Sequence, residues 1–362
     1  MAVSVVPAGV GGAMGCRTGR GWVVGLATVL VGALLTGCGS GATSTAGAGS
    51  TGGQRPAGPA GGVGGGKGSA AALHSAVWGA GAPLPRSVSE VGVAAVGASV
   101  HVLGGYVDGH PRSTTHLVLD TTSGQWRSAA PLPVAADHVG AVGLNGLLYA
   151  IGGYVNTAGG SGGSTAVWSY DPGTDRWTAR AGLPNRRAAG IAVALDGKVH
   201  LVGGKSRGAD TGEHDVFDPT SGGWTQAAPM PTPRDHAAGA VVGGRLYIAG
   251  GRPGALTALE SFDPAAGSWS SLPSLPSGRS SSAGAGIDGQ FLVLGGENAT
   301  ETTVTARVDA YDPTNRTWSR IADLPASRQG VGAAVIGGTV YLPGGAPTAG
   351  GSQQSDTLLH LH

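Results

Sequence analysis

Short apolar stretches of strand length recur along residues 73–362, and each ends at a pair of glycines. Leu246 to Ala249 is typical: four apolar residues lead into Gly250 and Gly251. Runs of this length, bounded by glycine, predict β-strands that end in tight turns. Glycine fits the turn because it reaches positive φ without steric cost. The pairs begin at Gly104, Gly152, Gly203, Gly250, Gly295 and Gly344.

A tryptophan precedes every glycine pair at a fixed distance of 26 residues. These residues are Trp78, Trp126, Trp177, Trp224, Trp269 and Trp318. Leu-Pro or Met-Pro follows each tryptophan by six positions, and an Asp precedes each of the last five by six positions. In four repeats this Asp follows an aromatic residue and precedes Pro, as in Tyr311-Asp312-Pro313, which predicts a turn between two strands. The spacing therefore defines a repeat of 45 to 51 residues.

A repeat with glycine pair, Asp-Pro turn and tryptophan at these spacings resembles the kelch repeat, in which each copy forms one four-stranded blade of a β-propeller. The resemblance covers residues 73–362 and implies an all-β, six-bladed kelch-type propeller. The first landmark is a tryptophan with no glycine pair before it, and the last is a glycine pair with no tryptophan after it. We therefore expect one N-terminal strand to join three C-terminal strands in the last blade and so close the ring.

The first 37 residues have the features of a bacterial export signal. Arg17 and Arg20 precede an apolar run, residues 22–35, that is short for a membrane span. Leu35 to Cys38 resembles the lipobox, in which the cysteine is lipidated and becomes the first residue after cleavage. We expect residues 1–37 to be a lipoprotein signal, Cys38 to carry the lipid, and the chain to face outward from the envelope. A plain membrane anchor, or a cleaved signal with an incidental cysteine, is the alternative.

Composition predicts a flexible segment and excludes some partners and sites. Glycine accounts for 70 of 362 residues, and residues 38–72 are dominated by small residues, which predicts a flexible tether after the lipid. The net charge of +1, without a basic run, argues against nucleic acid as a partner. The only cysteines are Cys16 and Cys38, so the repeats contain no disulfide and no thiolate metal site.

Arginine recurs sixteen residues before the glycine pair in four of the six repeats. These residues are Arg187, Arg234, Arg279 and Arg328, and Arg86 lies near the corresponding place in the first repeat. His138 and His236, each after an Asp, stand two positions further along, where the first repeat has Glu90. Since equal positions in a propeller form a ring, we expect the arginines and both histidines at the channel mouth, binding an acidic glycan, peptide or protein. The alternative is that the arginines link neighbouring blades through carbonyls and acidic side chains.

Enzymatic function has weaker support in the sequence. The kelch resemblance implies, as an alternative to binding, an acidic-sugar enzyme of the sialic-acid mutarotase or epimerase type, but no spacing singles out its catalytic acid. The candidates are Asp108, Asp210, Glu213, Glu297 and Glu301. A copper-radical oxidase is excluded because it requires a cysteine within the propeller. We expect no cofactor and no metal, and interpret the paired histidines (His110 and His116; His360 and His362) as surface residues.

Overall fold

The computed structural model describes residues 73, 75–157, 160–351 and 353–362. Strands dominate these ranges, with a single 3-10 turn assigned at Ala349–Gly351. Across these residues, no helix has the length and apolar character needed to cross a membrane. The predicted signal, Cys38 and the tether lie outside the described residues.

Six four-stranded antiparallel sheets account for the repeats. In sheets 1 to 5 the four strands follow one another along the chain, from the first strand at one edge to the fourth at the other. Sheet 1 is Gly92–Val96, Ser99–Leu103, His116–Asp120 and Gln125–Ser128; sheet 2 is Gly140–Leu144, Leu147–Ile151, Val167–Asp171 and Arg176–Ala179; sheet 3 is Ile191–Leu195, Lys198–Val202, His214–Asp218 and Gly223–Gln226; sheet 4 is Ala238–Val242, Arg245–Ala249, Leu259–Asp263 and Ser268–Leu272; sheet 5 is Ala283–Ile287, Gln290–Leu294, Val308–Asp312 and Thr317–Arg320.

Sheet 6 is assembled from both ends of the described chain. Ala334–Ile336, Thr339–Pro343 and Leu358–Leu361 are its first three strands, and Trp78–Ala80 is the fourth. The pairing is antiparallel, with Trp78 opposite Leu361 and Ala80 opposite Leu359. The edge of Leu358–Leu361 that would otherwise expose unpaired N–H and C=O groups is thereby covered.

Short strand pairs lie where the loop before a sheet meets the residues after its glycine pair. Val88–Ser89 pairs with Tyr106–Val107, and Tyr154–Thr157 pairs with both Ala136–Asp137 and Gly160–Gly163. Lys205–Ser206 pairs with Ala209–Asp210. These pairs fix the loops at one end of the sheets, where the candidate site lies.

The tryptophans link each sheet to the previous one. Each indole N–H donates a hydrogen bond of 2.8–2.9 Å to a carbonyl four residues beyond the preceding tryptophan. Trp126, for example, donates to Ala82, and Trp78 donates to Ala322 after Trp318. An aromatic ring between neighbouring sheets thus both fills space and satisfies its one polar atom.

The first strands of neighbouring sheets pack closely against one another, and this packing requires small residues. Gly92–Val96 contacts Gly140–Leu144, and the same contact recurs around the repeats until Ala334–Ile336 contacts Gly92–Val96 again. A Cβ added at Gly143 would overlap the Ala95 carbonyl oxygen. Side chains on both faces of the second strands are almost fully buried, as in Leu246 to Ala249, and form the core between sheets.

Candidate functional site

Six residues at equivalent positions, fourteen before each glycine pair, surround one cavity. They are Glu90, His138, Ala189, His236, Ser281 and Gly330, and we call them the inner ring. All six have positive φ, between 51° and 60°. Five of them are not glycine, so the surrounding structure must hold them in a conformation that L-residues seldom adopt.

Backbone hydrogen bonds connect the inner ring from repeat to repeat. Each inner-ring N–H donates to the carbonyl oxygen of the equivalent residue in the preceding repeat, and Glu90 donates to Gly330. The six bonds measure 2.7–3.4 Å. The positive φ is what turns each N–H toward its neighbour, and the bonds in turn fix where the Glu90, His138 and His236 side chains begin.

The cavity inside the inner ring, which we call the inner-ring cavity, is small and polar. About 120 Å³ within it is open to water-sized molecules, and its lining consists of inner-ring residues and those that follow them. Glu90, His138 and His236 bring one polar atom each to within 4.8 Å of the others. The cavity therefore has room for an ion with water or for one group of a larger polar ligand.

His138 lies between two carboxylates. Its Nδ1 is 2.6 Å from Asp137 Oδ1, and its Nε2 is 3.1 Å from Glu90 Oε2. Burial alone would lower the pKa of His138, but the charge of Glu90 and the hydrogen bonds to Asp137 and Glu90 raise it to about 10. Burial alone would raise the pKa of Glu90, but His138 lowers it to about 2. Both groups are therefore charged at neutral pH.

His236 has a similar environment two repeats further on. Its Nδ1 is 3.1 Å from Oδ2 of Asp235, a fully buried carboxylate. Although burial raises the pKa of Asp235, the hydrogen bond and charge of His236, with Lys205 and Arg252 nearby, lower it overall. The His236 ring meets the His138 ring edge to face, with centroids 4.8 Å apart. Two Asp-His pairs thus converge on the same cavity.

The residues that directly follow the glycine pairs form a second layer beside the inner ring. They are Tyr106, Tyr154, Lys205, Arg252, Glu297 and Ala346, and we call them the outer ring. Each pairs with the residue that precedes an inner-ring member. Because equivalent backbone pairing recurs in every repeat, all six outer-ring residues are placed at the same end of the sheets.

The aromatic rings of the outer ring contact His138, and its charged groups form ion pairs. Tyr106 and Tyr154 meet the His138 ring edge to face at 6.1 and 5.4 Å. Burial, with nearby acidic groups, raises the pKa of Tyr154 to about 12, so its hydroxyl stays protonated. Lys205 Nζ is 3.1 Å from Asp210, and a guanidinium nitrogen of Arg252 is 2.7 Å from Glu297. The layer offers hydroxyl, ammonium, guanidinium and carboxylate groups together.

The four repeated arginines do not surround this cavity, and the prediction that they do is wrong. Their exposed fractions are only 0–4%, and none of the four lines the inner-ring cavity. Each guanidinium instead donates to backbone carbonyls of its own sheet. The acceptors include Gly203 for Arg187, Ile248 for Arg234, Val293 for Arg279 and Gly344 for Arg328.

Carboxylates inside the sheets explain why three of the four arginines turn inward. Arg234 contacts Glu260 at 2.8 Å and Arg279 contacts Asp309 at 2.7 Å. Arg187 pairs with Glu213 and Asp215. Asp215, Glu260 and Asp309 each stand nine residues before a tryptophan, a repeated position that could have identified them as partners of the arginines. Each of these ion pairs anchors a loop to its sheet.

The remaining predicted site residues are dispersed. Arg86 is largely exposed and contacts Asp108 at 3.3 Å, away from the inner-ring cavity. Glu297 is buried, where it accepts hydrogen bonds from Arg252 and from the Gly350 N–H, and Glu301 lies 2.9 Å from Arg252. Only His138 and His236, of the residues proposed to bind a ligand, are brought together.

The interpretation of His116 as a surface residue is also wrong. His116 is buried, its Nε2 lies 2.9 Å from His101 Nδ1, and its Nδ1 donates to the Ala130 carbonyl. His200 and His214 repeat this arrangement in sheet 3 at 2.8 Å. These pairs pack among aromatic rings between sheets and are part of the core.

Comparison with known proteins agrees with the repeat. The Kelch motif family matches residues 137–184, 233–276 and 278–325. Among matching solved structures, the structure of YjhT superposes with a TM-score of 0.68 at 19% sequence identity, covering 77% of this chain and 96% of that one. The comparison with curated proteins gave no significant match. The Kelch motifs and the shared fold support the kelch superfamily and a β-propeller fold for this chain.

Proposed function

We propose that this protein is a lipid-anchored, outward-facing, six-bladed propeller that binds a polar ligand at the mouth of its central channel. One observation carries the proposal: every repeat contributes an inner-ring and an outer-ring residue to the same end of the sheets, and these residues are mostly polar. Concave polar clusters with a few aromatic groups are typical of binding sites, and function in propellers resides in such loops.

The proposed ring of six blades, closed by the N-terminal strand, has three supports. Trp78–Ala80 pairs with Leu358–Leu361. The Trp78 indole bonds to the segment after Trp318, and the inner-ring hydrogen bonds return from Gly330 to Glu90. Each of these contacts joins the last repeat to the first.

A polyhydroxylated ligand, such as a glycan, fits the mouth better than a strongly acidic one. The four repeated arginines are buried and therefore offer no cationic donor to a ligand at the mouth. The half-buried cations Lys205 and Arg252 already have carboxylate partners, whereas Tyr106 and Tyr154 offer hydroxyls and partly exposed rings. The mixed donors and acceptors suit the hydroxyl groups of a sugar. The aromatic surface suits its apolar C–H face.

The envelope location rests on the order of basic flank, apolar run and lipobox before Cys38. If the proposal is right, Cys38→Ala removes a covalently attached fatty acid, detected by metabolic labelling, and releases the protein from the membrane fraction. Labelling that persists in this variant contradicts the location.

A glycan and peptide array probed with the full chain tests the binding function. The wild type is compared with Tyr154→Ala at the mouth and with Arg245→Ala, an exposed arginine paired with Asp263 at the other end of sheet 4. We expect specific glycan binding that the mouth variant loses and Arg245→Ala retains, at equal melting temperatures. Binding that is lost equally in both variants, or absent from the wild type, contradicts the proposal.

An acidic-sugar enzyme acting at the same mouth is the second candidate, favoured by the contact between His138 and Glu90 in the cavity. Because their pKa values are displaced to about 10 and about 2, neither group exchanges protons readily near pH 7, so we prefer binding. The two candidates differ in turnover: an enzyme accelerates anomer exchange of a free acidic sugar, measured by NMR, and a binding module does not.

A further inference from the structure

Glu90, His138 and His236 have the composition of a metal site. One carboxylate and two imidazoles come from equivalent positions in three repeats, with one ligand atom from each inside a 4.8 Å limit. Imidazole with carboxylate suits Zn²⁺ and other divalent first-row metals, which two histidines and one acid can hold with a position left open. The three residues hold equivalent positions in the repeat, but the prediction from the sequence included no metal.

The distance between Glu90 and His138 matches metal coordination. Glu90 Oε2 and His138 Nε2 are 3.1 Å apart. Two ligands bound to one Zn²⁺ at about 2.0–2.1 Å in tetrahedral geometry lie about 3.3 Å from each other. A ligand atom of His236 lies within 4.8 Å of both, and its ring contacts the His138 ring.

Each histidine also has a carboxylate beside its other ring nitrogen, Nδ1, as metal-binding histidines usually have. Asp137 contacts His138 Nδ1 at 2.6 Å, and Asp235 contacts His236 Nδ1 at 3.1 Å. A carboxylate on Nδ1 fixes the ring, and Nε2 becomes the ligand atom when the metal displaces its proton. Asp235 is fully buried, and Lys205 Nζ lies 3.7 Å from the same carboxylate oxygen that contacts His236.

We propose that Glu90, His138 and His236 bind one divalent transition-metal ion of the Zn²⁺ class, with the open coordination position facing the inner-ring cavity. Three carboxylates close to the two imidazoles supply the negative charge that a dication requires. The inner-ring hydrogen bonds hold all three backbones in place before the ion arrives. The inference goes beyond the binding function and does not depend on it.

Zn²⁺ alone tests the site, using the full chain after treatment with a chelator. We expect equilibrium dialysis with elemental analysis to find one equivalent bound, and His138→Asn and His236→Asn each to weaken binding at least tenfold. Asparagine is chosen because it tolerates the positive φ of both positions. Asp235→Asn should weaken binding about tenfold or more, because it removes the carboxylate that orients His236.

The matched control is His360→Asn/His362→Asn, which removes another adjacent histidine pair, with ring centroids 4.5 Å apart. This variant should keep the full equivalent. Imidazole NMR of the wild type gives a readout that needs no variant: Zn²⁺ should shift the His138 and His236 resonances. No bound equivalent, unchanged affinity in the inner-ring variants, or shifts confined to His360 and His362 would overturn the proposal. Because no sugar or peptide is present, this outcome is independent of the array result.

Discussion

Four arginines occupy equivalent buried positions, but their partners differ. Arg234 has Glu260 at 2.8 Å, whereas Arg328 donates to the Gly344 carbonyl and forms no ion pair with any described residue. Burial lowers the pKa of Arg328 to about 10, which reflects the missing carboxylate. A buried ion pair contributes little net stability, but removing one partner leaves a desolvated charge.

Replacing these two arginines by methionine should therefore have unequal effects. We expect Arg234→Met to lower the free energy of unfolding by about 3–5 kcal/mol, since it leaves Glu260 buried without its cation. Arg328→Met should cost clearly less, because no carboxylate loses a partner. Denaturant unfolding measures both, with Arg186→Ala, an exposed neighbour of Arg187, as the control expected within about 0.5 kcal/mol of the wild type. Equal losses at Arg234 and Arg328 would contradict this account.

The buried histidine pairs should make the protein sensitive to acid. Burial lowers the pKa of His101 to about 3, of His116 to about 4 and of His214 to about 3. In the unfolded chain each titrates near 6.5. Between these values the unfolded state binds more protons, so stability is complete above pH 6.5 and falls as the pH drops toward 4, by up to about 1.4 kcal/mol per pH unit for each histidine.

His214→Phe tests this pH dependence, because it keeps a ring of similar shape beside Phe262 and Trp269 but cannot titrate. The free energy of unfolding, measured from pH 7 to pH 4.5, should fall less steeply in this variant than in the wild type. The exposed His362→Phe serves as control and should keep the wild-type slope. Identical slopes in all three proteins would show that the histidine pairs do not set the acid response.

At the level of the strands, close approach of the first strands determines which residues are tolerated. The Cβ of an alanine at Gly143 would overlap the Ala95 carbonyl oxygen, which is backbone and cannot rotate away. A Cβ at Gly223, in an outer strand, would meet only Ser221 Oγ at 3.8 Å. The glycine content of the repeats is therefore a packing requirement at some positions and not at others.

Gly143→Ala should destabilise the protein by about 1–3 kcal/mol, because the two first strands must separate to admit the methyl group. Gly223→Ala is the matched control and should be near neutral, since the methyl group has open space. Thermal melting of both variants beside the wild type checks the difference. A Gly143→Ala variant that melts at the wild-type temperature would mean that the first strands are not in close contact.

For the whole molecule, the contacts between the two ends of the described chain are the decisive feature. Residues 73–80 contribute a buried Leu73 and the strand that covers Leu358–Leu361. Their deletion should leave sheet 6 with an exposed edge and produce a protein that aggregates, as judged by size-exclusion chromatography and light scattering. A monodisperse deletion variant with the wild-type melting temperature would rule out this role for the N-terminal strand.

Sequence reasoning reached the repeat and the order of the strands because the glycine pairs, tryptophans and Asp-Pro turns are local signals of backbone geometry. The structure has those turns: the carboxylates of Asp171 and Asp312, for example, accept hydrogen bonds from backbone N–H groups two residues on. The sequence alone could not show which way the side chains point in the loop before each sheet. There, positive φ at the inner ring turns His138 and His236 into the cavity. Arg234 points into its sheet, where it pairs with Glu260. The importance of Tyr106 and Tyr154 was missed, although both directly follow a glycine pair.

The central claim, that the mouth of the channel is the binding site, is tested most directly by the dissociation constant of the strongest array ligand. We expect Tyr106→Ala/Tyr154→Ala to weaken it at least tenfold without lowering the melting temperature, because both rings face His138 at the mouth. Arg245→Ala, at the other end of sheet 4, should leave it unchanged. Equal affinity in the tyrosine variant, or loss of affinity in Arg245→Ala alone, would place the binding site elsewhere and contradict the account.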